Sequence, residues 1–267
     1  MQNTSPKLLS LIIPVYRQEK TIATNLRLIL LELKKFSFPY EVIAVVDGEE
    51  DNSYREAQTV KSPFLTVIGY QTNHGKGYAV RYGMAKSKGD VIGFMDGGGD
   101  LSEEGLAMLF EHYRWYNADI IIGSKRHPAS KVNYPWYRKV LSLSYQLLVR
   151  LLFGLNIKDS QVGIKLYRRT VLEDVMPRLL VKQFAFDIEI LAVAYHLGYR
   201  RIYEAPIELN FPGTSSITSA NFWRVIFRTL WDTAAVFYRL RLLRYYDNTN
   251  KRKWRFDKEL NFKINIG

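Results

Sequence analysis

Short apolar runs alternate with longer amphipathic ones along the first 125 residues. Residues 8–15, 41–46, 64–70, 91–95 and 119–122 are apolar and β-branched with little alternation, the pattern of strands covered on both faces. Between them, 19–35, 52–60, 77–88 and 102–116 have helical spacing, and Ser102 followed by Glu103 and Glu104 reads as an N-cap with an acidic first turn. This succession predicts an α/β fold on a parallel sheet with right-handed crossovers, with ligands bound beyond the carboxyl ends of the strands.

The second half predicts a helical apolar stretch over 136–153, carrying Arg138, Lys139 and Arg150, and a short strand over 163–167. Helices follow over 171–176 and 186–196, then strands near 201–204 and 207–210. A long amphipathic helix from 220 to about 245 ends the fold. With no internal repeat and no low-complexity linker, one domain with a C-terminal appendage is the economical organisation.

Composition narrows the chemistry. At 47% hydrophobic and 24% charged residues the chain has apolar mass for a substantial core and is not a disordered polyelectrolyte. The absence of cysteine excludes disulfides, thiolate zinc sites, iron–sulfur clusters and cysteine nucleophiles. A catalytic metal would therefore rest on carboxylate oxygen or imidazole, and the four histidines show no ligand spacing. The apolar run over 8–16 is broken by Pro14 and too short for a signal peptide, and no run reaches the roughly 20 residues of a spanning helix. The chain is expected to lie on a membrane, if it meets one, rather than to cross it.

The net charge is +12, unevenly placed: from Arg239 onward nine Lys/Arg stand against three acidic residues. Tyr245, Tyr246, Trp254 and Phe256 interleave with those charges, a composition that suits anionic lipid, nucleic acid or solubility alone.

Chemistry-bearing residues fall where the predicted strands end. They are Pro14 to Glu19 after the first, Asp47 to Asp51 after the second, Asn73 to Gly77 after the third, and Asp96 to Asp100 after the fourth. Asp96 and Asp100 bracket three glycines, so two oxygen ligands can converge on a hard divalent cation; equally, Asp100 can serve a helix start. Lys76 in Gly75-Lys76-Gly77 suits a phosphate-cradling turn into a helix, or a plain loop. Asp47 suits a ribose or base contact, or a turn.

Taken in order, the segments LIIPVYRQE, VVDGEED, NHGKGYAVRYGM, GFMDGGGD, GSKR, DSQVGIKLYRR, FAFDIEIL and GTSSI resemble the family 2 glycosyltransferases of GT-A fold, and within them the dolichyl- and polyprenyl-phosphate glucosyl- and mannosyltransferase branch. The resemblance implies a mostly parallel central sheet flanked by helices. It also implies a domain over 1–243 divided into a nucleotide-sugar half (1–125) and an acceptor half (126–243), with a basic tail over 244–267. It places donor binding on Pro14, Tyr16, Glu19, Asp47, Lys76, Asp96, Gln161 and Lys165, with Asp51 the later acid of its loop. Asp96 matches the first aspartate of the D-x-D metal signature, whose second position falls on Gly98 here, leaving Asp100 as the substitute ligand. Arg126 and Arg138 match basic positions facing a lipid phosphate, Asp187 an acid close to the acceptor, and Ser215 and Ser216 a serine segment after the last strands.

The implied reaction moves a hexose, with inversion, from UDP- or GDP-hexose to a polyprenyl phosphate, aided by Mg2+ or Mn2+. The acceptor phosphate is already ionised, so no strong base is needed. The implied setting is peripheral, at the cytoplasmic face of a membrane, with or without a membrane-protein partner and without nucleic acid. Two alternatives stand beside it: transfer to a saccharide hydroxyl with Asp187 as general base, and a non-catalytic basic lipid- or nucleic-acid-binding protein with a decayed site.

Overall fold

The computed structural model describes residues 7–96, 104–124, 126–128, 130–132, 136–160, 162–181, 185–209, 222–250, 254–258 and 262–265. In the first half the elements are β1 (Leu9–Val15), α1 (Ile22–Leu33), β2 (Tyr40–Asp47), α2 (Ser53–Gln58), β3 (Leu65–Tyr70), α3 (Lys76–Lys86), β4 (Val91–Met95), α4 (Glu104–Trp115) and β5 (Ile120–Ser124). The second half adds β6 (Lys131–Val132), α5 (Trp136–Phe153), β7 (Ile164–Arg168), α6 (Arg169–Val175), a 3-10 turn Met176–Arg178, α7 (Phe186–His196), β8 (Ile202–Pro206), β9 (Glu208–Leu209) and α8 (Phe222–Phe237). A π-helical turn, Tyr238–Leu242, and a hairpin of β10 (Trp254–Asp257) with β11 (Phe262–Asn265) complete the chain.

Seven strands form the central sheet in the order β3-β2-β1-β4-β7-β5-β8. β1 pairs in parallel with β2 and β4, β2 with β3, and β5 with β8. The exception to an all-parallel sheet is β7, which runs antiparallel between β4 and β5. Its reversal positions the site: β4 ends and β7 begins at the same edge of the sheet.

The near-continuous apolar strands are buried on both faces, as their composition predicts. On one face, Leu11, Ile13, Ala44, Val46 and Leu166 pack against α1 (Leu26, Ile29, Leu33) and α4 (Leu109, Phe110). On the other, Ile12, Val45, Phe94, Ile122 and Tyr167 meet α3, α5, α6 and α7.

Two boundaries differ from the sequence expectation. The first helix starts at Ile22 rather than 19, because Gln18 and Glu19 are bonded into the next strand's loop: Gln18 N–H donates to Ser53 Oγ at 2.7 Å and Glu19 N–H to Asp51 Oδ2 at 3.2 Å. The terminal helix gives way at Phe237 to the π turn, after which Arg244, at φ 45°, reverses the chain. The expected division at 243/244 assigns Tyr245 and Tyr246 to the tail, whereas Tyr246 is fully buried in the second apolar layer and Tyr245 packs against it. The hairpin within the tail was not anticipated from its charge.

Candidate active site

Four charged side chains meet at the edge where β4 ends and β7 begins. Lys76 opens α3, just past Gly75, whose φ of 94° is the left-handed turn that glycine adopts without strain. Its Nζ lies 2.8 Å from Asp96 Oδ1 and 3.8 Å from Asp187 Oδ2. Asp187, in the first turn of α7, also receives Lys165 Nζ on Oδ1 at 2.6 Å. Lys165 is fully enclosed and gives a second hydrogen bond to the Val162 carbonyl at 2.6 Å. The Phe94 ring lies beneath both ammonium groups, 5.4 Å from Lys76 Nζ and 5.1 Å from Lys165 Nζ, within cation–π range.

The two lysines differ electrostatically. Burial lowers the affinity of Lys76 for its proton, but the Asp96 and Asp187 carboxylates more than offset it, so its pKa lies above the ordinary lysine value. For Lys165 burial prevails over the same Asp187 and the pKa is lowered. Lys76 is thus the firmly cationic member, and its side chain is the one partly open to solvent (22%). The N-terminus of α3 carries no acidic residue in its first turn, so its dipole favours an anion beside Lys76.

Asp96 is the most open of the four, with 44% of its side chain exposed. Its backbone N–H bonds the Gly163 carbonyl at 2.9 Å, and a Cβ on Gly163 would stand 2.0 Å from Asp96 Oδ2. Gly163 therefore leaves the room the carboxylate occupies. A solvent-exposed carboxylate is the oxygen-donor chemistry a hard divalent cation takes, so Asp96 fits the metal role. Asp100 and Gly98 lie outside the described residues. Among the described residues no group of three His, Asp or Glu side chains forms a ready-made metal cage.

The other expected donor residues are built differently. Asp47, at the end of β2, spends both oxygens on the end of β3 and the loop that leads to α3. Oδ1 accepts Tyr70 Oη–H at 2.9 Å and His74 N–H at 2.8 Å, and Oδ2 accepts Gly75 N–H at 2.9 Å and Asn73 Nδ2–H at 3.3 Å. Those four donors fill a carboxylate's acceptor positions, so Asp47 shapes the loop that presents Lys76. Glu19 and Asp51 clasp two loops reciprocally, Glu19 Oε2 accepting Asn52 N–H at 3.2 Å. Pro14 sits at the end of β1, paired with Val45, and Tyr16 donates its hydroxyl to Glu50 at 3.0 Å. Beside them Arg17 to Thr21, Glu50 and Asp51 line an open depression of about 450 Å³.

Arg126 follows β5, its guanidinium bonded to Gln146 of α5 and to the Lys158 carbonyl at 3.3 Å. Arg138 lies in the first turn of α5, its side chain outside the described residues, as are Gln161, Ser215 and Ser216. Tyr145 of α5 bonds Thr233 of α8 at 2.9 Å, and burial, with the Asp187 and Asp232 charges adding to it, pushes the pKa of its hydroxyl up to about 12.

The structure therefore joins Lys76, Asp96, Lys165 and Asp187 directly and sets Asp47 one loop behind them. Sequence inspection missed Gly163 and Phe94. A glycine next to a strand signals close approach, but Phe94 looks like any core aromatic. Also missed was that Lys165, between Ile164 and Leu166, points into the interior.

Comparisons with known proteins identify the family and the fold. The chain is 32% identical over 210 residues to a dolichyl-phosphate beta-glucosyltransferase of Drosophila melanogaster, an overlap of 72% of this chain and 64% of the relative. It is 31% identical over 204 residues to an undecaprenyl-phosphate mannosyltransferase of Micrococcus luteus, 73% of this chain and 81% of that one. The chain thus spans just under two thirds of the fly protein's length. Among solved structures, glucosyl-3-phosphoglycerate synthase from Mycobacterium tuberculosis, in complex with Mn2+, UDP and phosphoglyceric acid, superposes with a TM-score of 0.64 at 15% identity, covering 97% of this chain and 87% of that one. That likeness is one of fold, and the fold is GT-A. Residues 10–176, from β1 through the cluster's Lys76, Asp96 and Lys165 to the end of α6, match Glycosyl transferase family 2, and the chain belongs to that family.

Proposed function

We propose that this protein transfers a hexose from a nucleoside diphosphate sugar, UDP- or GDP-linked, to a polyprenyl phosphate at a membrane surface. The observation that carries the reading is the charged cluster. Lys76 stands at a helix N-terminus between Asp96 and Asp187, and two helices of the same chain, α5 and α8, carry apolar outer faces.

Each residue has a task in a single displacement. The bond from the anomeric carbon to the donor's β-phosphate oxygen breaks and its electron pair leaves with the nucleoside diphosphate. An oxygen of the lipid phosphate forms the new bond from the opposite face, inverting the centre. Lys76 and the α3 amides lie where negative charge grows on the leaving group. Asp96 would hold Mg2+ or Mn2+, which when bound supplies Lewis-acid stabilisation of the diphosphate. Asp187, fixed by Lys165, orients Lys76 rather than removing a proton, because the acceptor oxygen already carries charge. Asp47 holds the loop that delivers Lys76, and Arg126, with Arg138 on the same helix as its partner Gln146, faces the lipid phosphate. The depression beside Glu19 and Asp51 receives the nucleoside.

The helices supply the route for a lipid. Val140, Leu143, Leu147 and Leu151 on α5 and Phe227 and Trp231 on α8 are exposed at spacings of three and four residues, and Leu242 follows on the π turn. Leu151 is 74% and Trp231 78% exposed. Arg150, Arg224, Arg228 and Arg241 are exposed among them. An apolar stripe edged by arginine suits a helix lying in the interface of an anionic bilayer. Among the described residues no helix is long and apolar enough to cross a membrane. The exposed stripe favours an enzyme that works at a membrane surface.

The test is transfer of radiolabelled hexose from UDP-glucose or GDP-mannose to a short prenyl phosphate in mixed micelles with Mn2+. Glycolipid should form only when lipid phosphate and metal are both present, and Asp96→Asn should abolish it. Efficient transfer to a saccharide, indifferent to lipid phosphate, would overturn the proposal.

A further inference from the structure

Glu189 is a fully buried carboxylate that the transfer chemistry leaves without a task. It accepts Leu180 N–H at 3.0 Å, Val181 N–H at 2.9 Å and the hydroxyl of Tyr246 at 2.7 Å. Tyr246 comes from the segment that returns after the π turn and is itself fully buried. The two residues that follow it are fastened as well. Asp247 Oδ1 lies 2.5 Å from His196 Nε2 at the far end of α7. Arg178, in the turn before α7, donates Nε–H to the Tyr246 carbonyl at 3.2 Å and also holds Asn248. Three successive C-terminal residues thus grip both ends of α7 and the turn that leads into it.

Asp187 lies two residues before Glu189 on the same helix. Positions two apart on a helix point to nearly opposite sides, so Glu189, which also feels the Arg81 charge of α3, acts on Asp187 through the helix they share. We propose that Tyr246 and Glu189 are positioning residues: residues 245–248 form a strap that sets the rotation of the first turn of α7 and thereby holds Asp187 between Lys165 and Lys76. The inference rests on the reading of Asp187 as part of the transfer site. A carboxylate enclosed without a solvent-facing role is costly unless fully hydrogen-bonded, and here the hydrogen bonds named above run to the strap and to the approach to α7, with the Arg81 charge of α3 adding to them.

Tyr246→Phe in the full-length protein removes the hydroxyl and keeps the ring. Two readouts apply: amide hydrogen exchange over residues 186–190, with β2 as internal reference, and kcat and donor KM with UDP-glucose and a short prenyl phosphate in detergent micelles, where bilayer binding plays no part. The expected result is exchange over 186–190 faster by about tenfold with β2 unchanged, and kcat lower by about fivefold with donor KM within twofold, for disturbance of a positioned group. Glu189→Gln should move both readouts in the same direction. Unchanged exchange over 186–190, an equal rise in β2, or faster exchange with wild-type kcat would each overturn the proposal. Should the wild-type protein show no transfer, the assigned reaction fails, and hydrogen exchange alone still decides whether the strap fixes α7.

Discussion

Replacing Lys165 with methionine tests the electrostatic design of the site. The substitution keeps the volume of a wholly buried chain and removes one ammonium from a pair 2.6 Å apart. Breaking a buried ion pair by deleting one partner costs about 3–5 kcal/mol, because the remaining charge is left uncompensated. Here Asp187 keeps Lys76 at 3.8 Å from its second oxygen, which points to the lower end, about 3 kcal/mol. In a domain of this size that corresponds to a fall in Tm of about 6–12 °C. Asp187→Leu alone should cost a similar amount by stranding Lys165 among apolar groups. The double variant Lys165→Met with Asp187→Leu should lose no more than either single one, since burial already opposes the Lys165 charge and the apolar replacement leaves nothing to compensate. Urea denaturation of the four proteins at neutral pH gives the cycle, with an expected coupling of about 3 kcal/mol. Additive losses, with coupling below about 0.5 kcal/mol, would refute the claim that these residues act as a pair. Transfer activity should be lost in every variant without Asp187, separating stability from chemistry in the double variant.

Three further outcomes are expected. Gly163→Ala places a methyl where Asp96 Oδ2 now lies and should displace the carboxylate; calorimetry with Mn2+ and UDP should show binding weaker by about tenfold or more with the fold retained, and unchanged binding would separate Asp96 from the metal. Burial raises the Glu189 carboxyl above its ordinary 4.5 despite the Tyr246, Leu180 and Val181 donors. Its stabilising contribution is complete below that value and is lost as pH rises through the raised one, so wild type should lose stability relative to Glu189→Gln with rising pH, and parallel urea midpoints from pH 4 to 8 would contradict it. Trp231→Ser with Leu151→Ser should lower sedimentation with anionic vesicles by at least about tenfold, since each buried apolar side chain is worth about 1.5–3 kcal/mol, and undiminished binding would remove the α5–α8 face from membrane contact.

The truncation that tests the tail moves with the structure. Residues 251–267 still carry six Lys/Arg against two acidic residues, so a cut after Asn250 removes that basic charge and leaves Tyr246 in the core. A cut after Leu243 would instead open the second apolar layer and release α7.

Much of the fold was legible in the chain because its signals are local. Continuous apolar runs announce strands covered on both faces, and four strand ends in succession carry Glu19, Asp47, Lys76 and Asp96 to one edge, whichever helices cover them. The order of the motifs likewise identified the family. Non-local pairing decided which partners each residue has. Asp47 stands at a strand end, and four donors from the end of β3 and the loop after it, 23 to 28 positions away, bond its oxygens. Lys165 sits in a segment that reads as closing the site, but the reversed β7 turns its side chain inward, where Asp187 meets it from an element 22 residues on. Glu189 and Tyr246 find each other across 57 residues. Periodicity reports which positions are apolar and where elements begin; it is blind to which buried polar groups satisfy one another, because that pairing is chosen by the packing of distant elements and by the cost of leaving any of them unbonded in a low-dielectric interior.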